Sequence, residues 1–217
     1  TFYSANAAEL ENSLAAHLDS PLAWDIEAKA LVVPHAGHVY SGPIAGVAYA
    51  SVRHLANRIE RVVLLGPAHR VAFKGIAVPS VDAHATPLGD IPVDWQSVAQ
   101  ALSLPQVHIS DAVFEGEHSL EVHLPFLQRT LGEFALVPFL VGDATPEAVE
   151  QILRKLWGGP ETLIVISTDL SHFHDYDTAR KRDANTTRAI ETFNVEGLNS
   201  DLACGVRPLS GLLRAAQ

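Results

Sequence analysis

The sequence predicts an α/β protein, a three-layer α/β/α sandwich around a mostly parallel or mixed central sheet. Short apolar runs alternate with amphipathic segments, which is typical of strands that alternate with helices. Three of these runs also end in a turn that delivers a histidine. They are residues 30–33 before His35, residues 62–65 before His69, and residues 162–166 before His172. Ligands of open α/β sheets bind beyond the carboxyl ends of the strands, so we expect the site there.

Composition limits the classes of function. A length of 217 residues suits one domain, and 47% hydrophobic with 18% charged residues is ordinary for a protein with a core. The net charge of −10 predicts neither nucleic acid nor membrane as a partner. No apolar run approaches the roughly 20 residues of a membrane helix. The single cysteine excludes an internal disulfide, so we expect a cytoplasmic protein.

The first half of the chain predicts a βαβ unit. An amphipathic helix over residues 7–18 ends before Pro21, and a strand follows at 30–33. Ser41 is the expected cap of the next helix, with Pro43 in its first turn and an apolar stripe that begins at Ile44. A second strand over 61–65 completes the unit. Such strands are parallel, so His35 and His69 should lie at one edge of the sheet.

The second half continues the alternation. We expect strands at 75–79, 134–141 and 162–166, and a surface loop at 85–92, which holds two prolines and Gly89. Asp94 and Thr145 are the predicted caps of helices over 95–102 and 146–157. Residues 117–131 predict a helix kinked at Pro125. Residues 177–192 and 207–216 predict the last two helices.

The residue types at the strand ends favour a metal site. Imidazole is the commonest metal ligand, and His35 and His69 are expected to meet. His38, three residues beyond His35, is a candidate for a supporting position. Cys204 would complete a set of two histidines and one thiolate, which suits zinc, copper or iron. The alternative is nucleophilic catalysis, with Cys204 attacking and His172 as its base.

Two further clusters leave their roles open. His118 and His123 are five residues apart, so they do not share a helix face as the histidines of a zinc peptidase do. The stretch around them is either a solvated helix entry, or it places His118, Glu121 or His123 behind the ligands or in a substrate wall. Asp169 precedes His172 by three residues and could orient it as a general base.

Several ordered motifs resemble those of the MEMO-like family, whose bacterial and archaeal members are known as AmmeMemoRadiSam system protein B. The resemblance spans nearly the whole chain. It rests on Pro34-His35-Ala36-Gly37, Leu65-Gly66-Pro67-Ala68-His69, Glu117-His118-Ser119-Leu120-Glu121-Val122-His123-Leu124-Pro125, Ser167-Thr168-Asp169-Leu170-Ser171-His172 and Ala203-Cys204-Gly205.

The resemblance implies a fold similar to the catalytic subunit of class III extradiol dioxygenases, which are non-haem iron enzymes. It implies that His35 and His69 bind a metal and that Cys204 is the third ligand, where the dioxygenases use a glutamate. His172 matches their acid/base histidine. A thiolate shifts the metal preference towards copper, zinc or redox-active iron, so the expected cofactor is iron or copper, with zinc as a further candidate.

The chain also departs from the family pattern. His38 replaces a usual tyrosine. The chain stops soon after Cys204, where relatives run on, so we expect a single domain over residues 1–217 that lacks its C-terminal portion.

Three functions follow as hypotheses. The first is a metal-dependent oxidoreductase that acts on a small molecule. The second is a non-catalytic module that binds a phosphopeptide or protein in the same cleft, as the human relative is described. The third is a metal hydrolase or cysteine nucleophile enzyme. The family resemblance further implies a functional link to radical-SAM and AMMECR1-like proteins.

Overall fold

The structure, a computed structural model, describes residues 2–217 and contains a six-stranded sheet with helices on both faces. The strands are β1 (Ala30–Val33), β2 (Arg61–Pro67), β3 (Ile76–Val78), β4 (Ala83–Thr86), β5 (Gly89–Pro92), β6 (Val107–Ile109), β7 (Ala135–Val141) and β8 (Thr162–Ser167). The α-helices are α1 (Ala7–Leu18), α2 (His38–Ala50), α3 (Trp95–Leu102), α4 (Leu124–Leu131), α5 (Pro146–Leu156), α6 (Tyr176–Glu191) and α7 (Val206–Ala215). The predicted α/β sandwich is confirmed.

The strand order of the large sheet brings three strand ends together. The order is β1-β8-β2-β7-β3-β6, and every neighbouring pair is parallel except β3 with β7. The strands β1 and β2 are parallel, as predicted, although β8 lies between them. Val165 of β8 pairs with Leu31 on one side and Leu64 on the other. The segments that follow β1, β2 and β8 therefore leave the sheet at one edge.

Two apolar cores lie on the two faces of this sheet. Adjacent strand residues point to opposite faces, so Leu64 and Leu65 of β2 belong to different cores. The first core packs against α1, α2 and α4 and includes Tyr49 and Phe126. The second packs against α3, α5 and α7. Among the helices that the structure describes, none combines the length and apolarity needed to cross a membrane.

The helix α2 differs from its prediction at its start and in its buried face. It begins at His38, with Gly37 as its N-cap, and it contains Pro43 in its interior. Ser41 is therefore not the cap. The predicted apolar stripe is wrong at its first residue, because Ile44 is 64% exposed, while Gly42 and Gly46 are buried.

Close packing against α1 explains this face of α2. A Cβ added to Gly46 would lie 2.2 Å from the backbone oxygen of His17, and one added to Gly42 would lie 2.4 Å from the His17 ring. Only hydrogen fits at Gly46, where the neighbour is backbone, whereas a Cβ at Gly42 would require the His17 ring to move. These two glycines thus allow α1 to lie close against α2.

Two segments around prolines differ from their predictions. Residues 85–92, expected as a loop, contribute to a two-stranded hairpin of β4 and β5 that turns at Pro87 and Leu88. The predicted helix over 117–131 is a short 3₁₀ turn, Glu121–His123, followed by α4. Pro125 lies in the first turn of α4, where a missing N–H costs no hydrogen bond, so it starts the helix instead of kinking it.

We predict that Gly46→Ala lowers the free energy of unfolding by about 2 kcal/mol, because the new Cβ meets backbone that cannot rotate away. Urea denaturation measures this change. The control is Ile44→Ala on the exposed face of the same helix, expected within about 0.5 kcal/mol of the parent. A Gly46→Ala protein more stable than the parent, as helix propensity alone would give, contradicts the packing account.

Candidate metal centre

Three imidazoles converge at the sheet edge. His35 follows β1, His69 follows β2, and His118 precedes the 3₁₀ turn. One ring nitrogen of each lies within 4.8 Å of the others. The ring centroids of His35 and His69 are 5.1 Å apart, and those of His69 and His118 are 5.0 Å apart. The predicted meeting of His35 and His69 is therefore observed, and His118 joins them.

A buried hydrogen-bond chain sets the orientation of His35. Its Nδ1 lies 2.6 Å from Ser167 Oγ, and that hydroxyl donates to the carbonyl oxygen of Ser119 at 2.5 Å. Because the hydroxyl has a single hydrogen, it accepts from Nδ1–H of His35. In the neutral ring Nε2 then carries the lone pair that could bind a cation.

A carboxylate that sequence reasoning missed, Glu117, sets the orientation of His69. Its side chain is only 2% exposed and accepts from Nδ1 of His69 at 3.0 Å. It also accepts from the backbone N–H groups of His69, His118 and Ser119. Burial opposes ionisation of Glu117, but these hydrogen bonds hold its pKa well below the usual range. A carboxylate behind an imidazole is the common support of a metal ligand.

The segment 117–119 joins two strand ends. The Ser119 hydroxyl donates to the carbonyl oxygen of Pro67 in β2 at 2.7 Å, while its own carbonyl accepts from Ser167 of β8. A Cβ on Gly66 would lie 2.8 Å from Ser119 Oγ, so the glycine permits this approach. The segment therefore holds all three histidines in one network.

The thiol of Cys204 lies beside this group. Its Sγ is 3.3 Å from Nε2 of His35 and accepts from the backbone N–H of Asp169 at 3.3 Å. Burial raises the pKa of Cys204, but hydrogen bonds with His35 and His69 outweigh it and lower the pKa to about 6. The hydrogen bond with Cys204, together with Glu117, raises the pKa of His69 to about 9. Without a metal, Cys204 is thus favoured as a thiolate and His69 as an imidazolium. A bound cation would displace the proton of His69.

A close approach of the chain brings Cys204 to the strand ends. Gly205 donates its N–H to Thr168 Oγ1 at 2.8 Å, and a Cβ on Gly205 would lie 2.5 Å from the carbonyl oxygen of Ser167. Among residues 2–217, the three-histidine group does not include Cys204, whose Sγ lies 3.3 Å from Nε2 of His35.

Asp169 acts on the backbone more than on His172. One carboxylate oxygen accepts from the N–H of His35 at 2.7 Å and from that of Ala36 at 3.3 Å. The other oxygen is 3.9 Å from Nε2 of His172, which is longer than a hydrogen bond. The ring of His172 is 44% exposed. Asp169 therefore fixes the turn after β1, and His172 lies at the rim.

The remaining predicted residues surround the centre. His38 is buried, packs against Phe126 and donates from Nε2 to the carbonyl oxygen of Val122 at 2.9 Å. His123 is buried with its Nδ1 2.8 Å from the Tyr49 hydroxyl. Burial lowers the pKa of His38 and of His123. Glu121 is exposed and accepts from the Tyr3 hydroxyl at 2.8 Å.

Two cavities open beside the centre. One of about 440 Å³ is lined by Cys204, Ala68 and Arg207 among others. The other, of about 470 Å³, is lined by His118 and by Phe2 and Tyr3 from the N-terminal segment. Small molecules therefore have space on both the thiol side and the His118 side.

Comparisons with known proteins agree on one family. A family profile described as "Memo-like protein" matches residues 1–217. The chain is 31% identical over 244 aligned positions to "Protein memo-1 homolog" of Caenorhabditis elegans, covering 100% of this chain and 69% of the relative. It is 36% identical over 202 positions to a "MEMO1 family protein" of Aquifex aeolicus (91% and 74%). It is 30% identical over 245 positions to "Protein MEMO1" of Xenopus laevis (100% and 82%).

We predict that Glu117→Gln lowers the free energy of unfolding by roughly 3 kcal/mol, because an amide cannot accept from all the N–H groups that the buried carboxylate satisfies. Urea denaturation in the presence of a chelator measures the change without a metal contribution. The matched control is Glu115→Gln, an exposed position two residues earlier, expected within about 0.5 kcal/mol of the parent. Equal stability of the two variants would show that Glu117 does not support the centre.

Proposed function

Because the chain belongs to the Memo-like protein family, we propose that it binds a metal ion where His35 and His69 meet and acts as a non-haem oxidoreductase. The observation that carries this proposal is the convergence of imidazole nitrogens within 4.8 Å, with a thiol sulfur 3.3 Å from one of them. Residues far apart in the chain supply these groups, and buried hydrogen bonds orient two of the rings.

In this proposal His35, His69 and Cys204 hold the ion, and His118 is a further candidate donor. The donors fit such an ion. Nδ1 of His118 is buried and makes no hydrogen bond of good geometry among the described residues, although it lies 3.3 Å from Oε1 of Glu117. Burial lowers the pKa of His118, which favours the neutral ring. Imidazole with thiolate suits iron, copper or zinc better than magnesium or calcium. We propose iron or copper, with zinc as the alternative.

The protein's own residues would orient the metal ligands and move protons during the reaction. When bound, a redox-active ion would supply electron transfer to or from the substrate. Glu117 would hold His69 by its Nδ1–H, and Asp169 would hold the backbone of His35. We assign His172 to proton movement, because it lies at the rim with its ring partly exposed.

The partners and the compartment are proposals of the same kind. The proposed ligand is a small molecule, with a peptide as the alternative occupant if the protein is a non-catalytic binding module. A cytoplasmic location is supported by the single cysteine. A link to radical-SAM and AMMECR1-like proteins is supported by the family resemblance alone.

Metal content tests the proposal. Protein purified without chelator is expected to carry about one ion per chain, measured by inductively coupled plasma mass spectrometry. His69→Ala is expected to weaken binding by at least about 100-fold, more than the loss of a supporting residue. The control is His54→Ala, since His54 pairs with Asp25 and Glu27 and is not a member of the three-histidine group. A folded His69→Ala protein with unchanged metal content would overturn the metal site.

Oxygen uptake tests the oxidoreductase half of the proposal. Iron- or copper-loaded protein is expected to consume oxygen with a catechol, and His172→Ala is expected to slow this by about 100-fold with metal content unchanged. A metal-loaded protein without uptake contradicts this assignment. If metal-free protein also binds a phosphotyrosine peptide tightly, the non-catalytic module replaces it.

A further inference from the structure

The cavity beside His118 has a composition that the metal site does not explain. It occupies about 470 Å³ and is formed by the N-terminal segment, the β4–β5 hairpin and the 117–121 stretch. Its lining is mainly apolar and includes Phe2, Tyr3 and Pro87. The volume and the lining are typical of small-molecule pockets.

The aromatic wall of this cavity is held in place by defined contacts. The Phe2 ring stacks on His118, with centroids 4.2 Å apart and planes at 8°. The carbonyl oxygen of Phe2 accepts from the N–H of His38 at 2.8 Å, at the first residue of α2. The N-terminal segment therefore forms a positioned wall.

One charged group at the cavity has unused binding capacity. Glu121 lines it and accepts one hydrogen bond, from the Tyr3 hydroxyl to Oε1. Within residues 2–217, no lysine, arginine or histidine nitrogen lies within 4.0 Å of its carboxylate. The other acid in the lining, Glu117, already accepts from His69, His118 and Ser119. Glu121 is thus the group that could accept from a ligand.

We propose that this cavity binds an arylalkylamine, with the aromatic ring among Phe2, Tyr3 and Pro87 and the ammonium group on the carboxylate of Glu121. The net charge of −10 also favours a cationic ligand over an anion. The proposal goes beyond the metal chemistry proposed above, because none of these contacts requires an ion. His118 is the residue that this cavity shares with the three-histidine group.

Ligand-observed NMR titration of chelator-treated protein with 2-phenylethylamine tests the proposal. We expect saturable binding at least about tenfold tighter than that of phenylacetate, which has the same ring and the opposite charge. Binding should weaken as salt concentration rises, because Glu121 is exposed. Equal or tighter binding of phenylacetate or phenyl phosphate would overturn the proposal in favour of an anion site.

Three variants separate recognition from support of the cavity wall. Glu121→Gln should weaken amine binding by about tenfold, whereas phenylacetate binding should not weaken because a repelling charge is removed. Tyr3→Phe removes the same Tyr3–Glu121 hydrogen bond but keeps the carboxylate, so amine binding should persist. Glu115→Gln, an exposed acid outside the lining, should behave like the parent. If Tyr3→Phe loses as much affinity as Glu121→Gln, the carboxylate acts only through the wall and the proposal fails.

The use of metal-free protein separates this proposal from the proposed function. Amine binding without metal would support the subsite even if the chain carried no ion. Conversely, metal binding with no amine binding would overturn the subsite and leave the metal site intact.

Discussion

The candidate site depends on one buried carboxylate, that of Glu117, and on the hydrogen bonds around it. Glu117 is bound by the N–H groups of its own segment and by His69, and Ser119 links that segment to β2 and β8. Through Ser167 the same network reaches His35. A charge in a nearly closed environment is stable only when it is fully hydrogen-bonded, so this network tolerates little rearrangement. This rigidity would hold the imidazoles in their binding orientation before a metal ion arrives.

The sequence predicted five of the six strands of the large sheet, all except β6, and the meeting of the ends of β1 and β2. Apolar runs mark buried strands, and parallel pairing sends the segments after β1 and β2 to one edge even with β8 between them. The periodicity of residues 117–131 predicts one helix, which does not reveal the role of Glu117, because the helix α4 begins only at Leu124. The proximity of Ser167 to His35 follows from the pairing of Ser167 with Val33, which the strand order of the folded sheet reveals.

Other differences came from contacts between distant segments. The glycines of α2 are buried because α1 crosses close to them, which the periodicity of α2 alone does not reveal. The approach of Cys204 to His35 depends on Gly205 fitting against the end of β8, some 37 residues earlier. Such long-range fits decide which of several plausible donors meet. The residues of the site could therefore be proposed individually, while the grouping of His118 with His35 and His69 required the fold.

The central claim is that imidazoles and one thiolate bind a single ion at this edge of the sheet. X-ray absorption spectroscopy of zinc-loaded protein tests it most directly, because it distinguishes sulfur from nitrogen neighbours. The account predicts one sulfur at about 2.3 Å together with nitrogen neighbours at about 2.0 Å, and loss of the sulfur in Cys204→Ser. A bound ion surrounded by oxygen or nitrogen alone in the parent protein would contradict it.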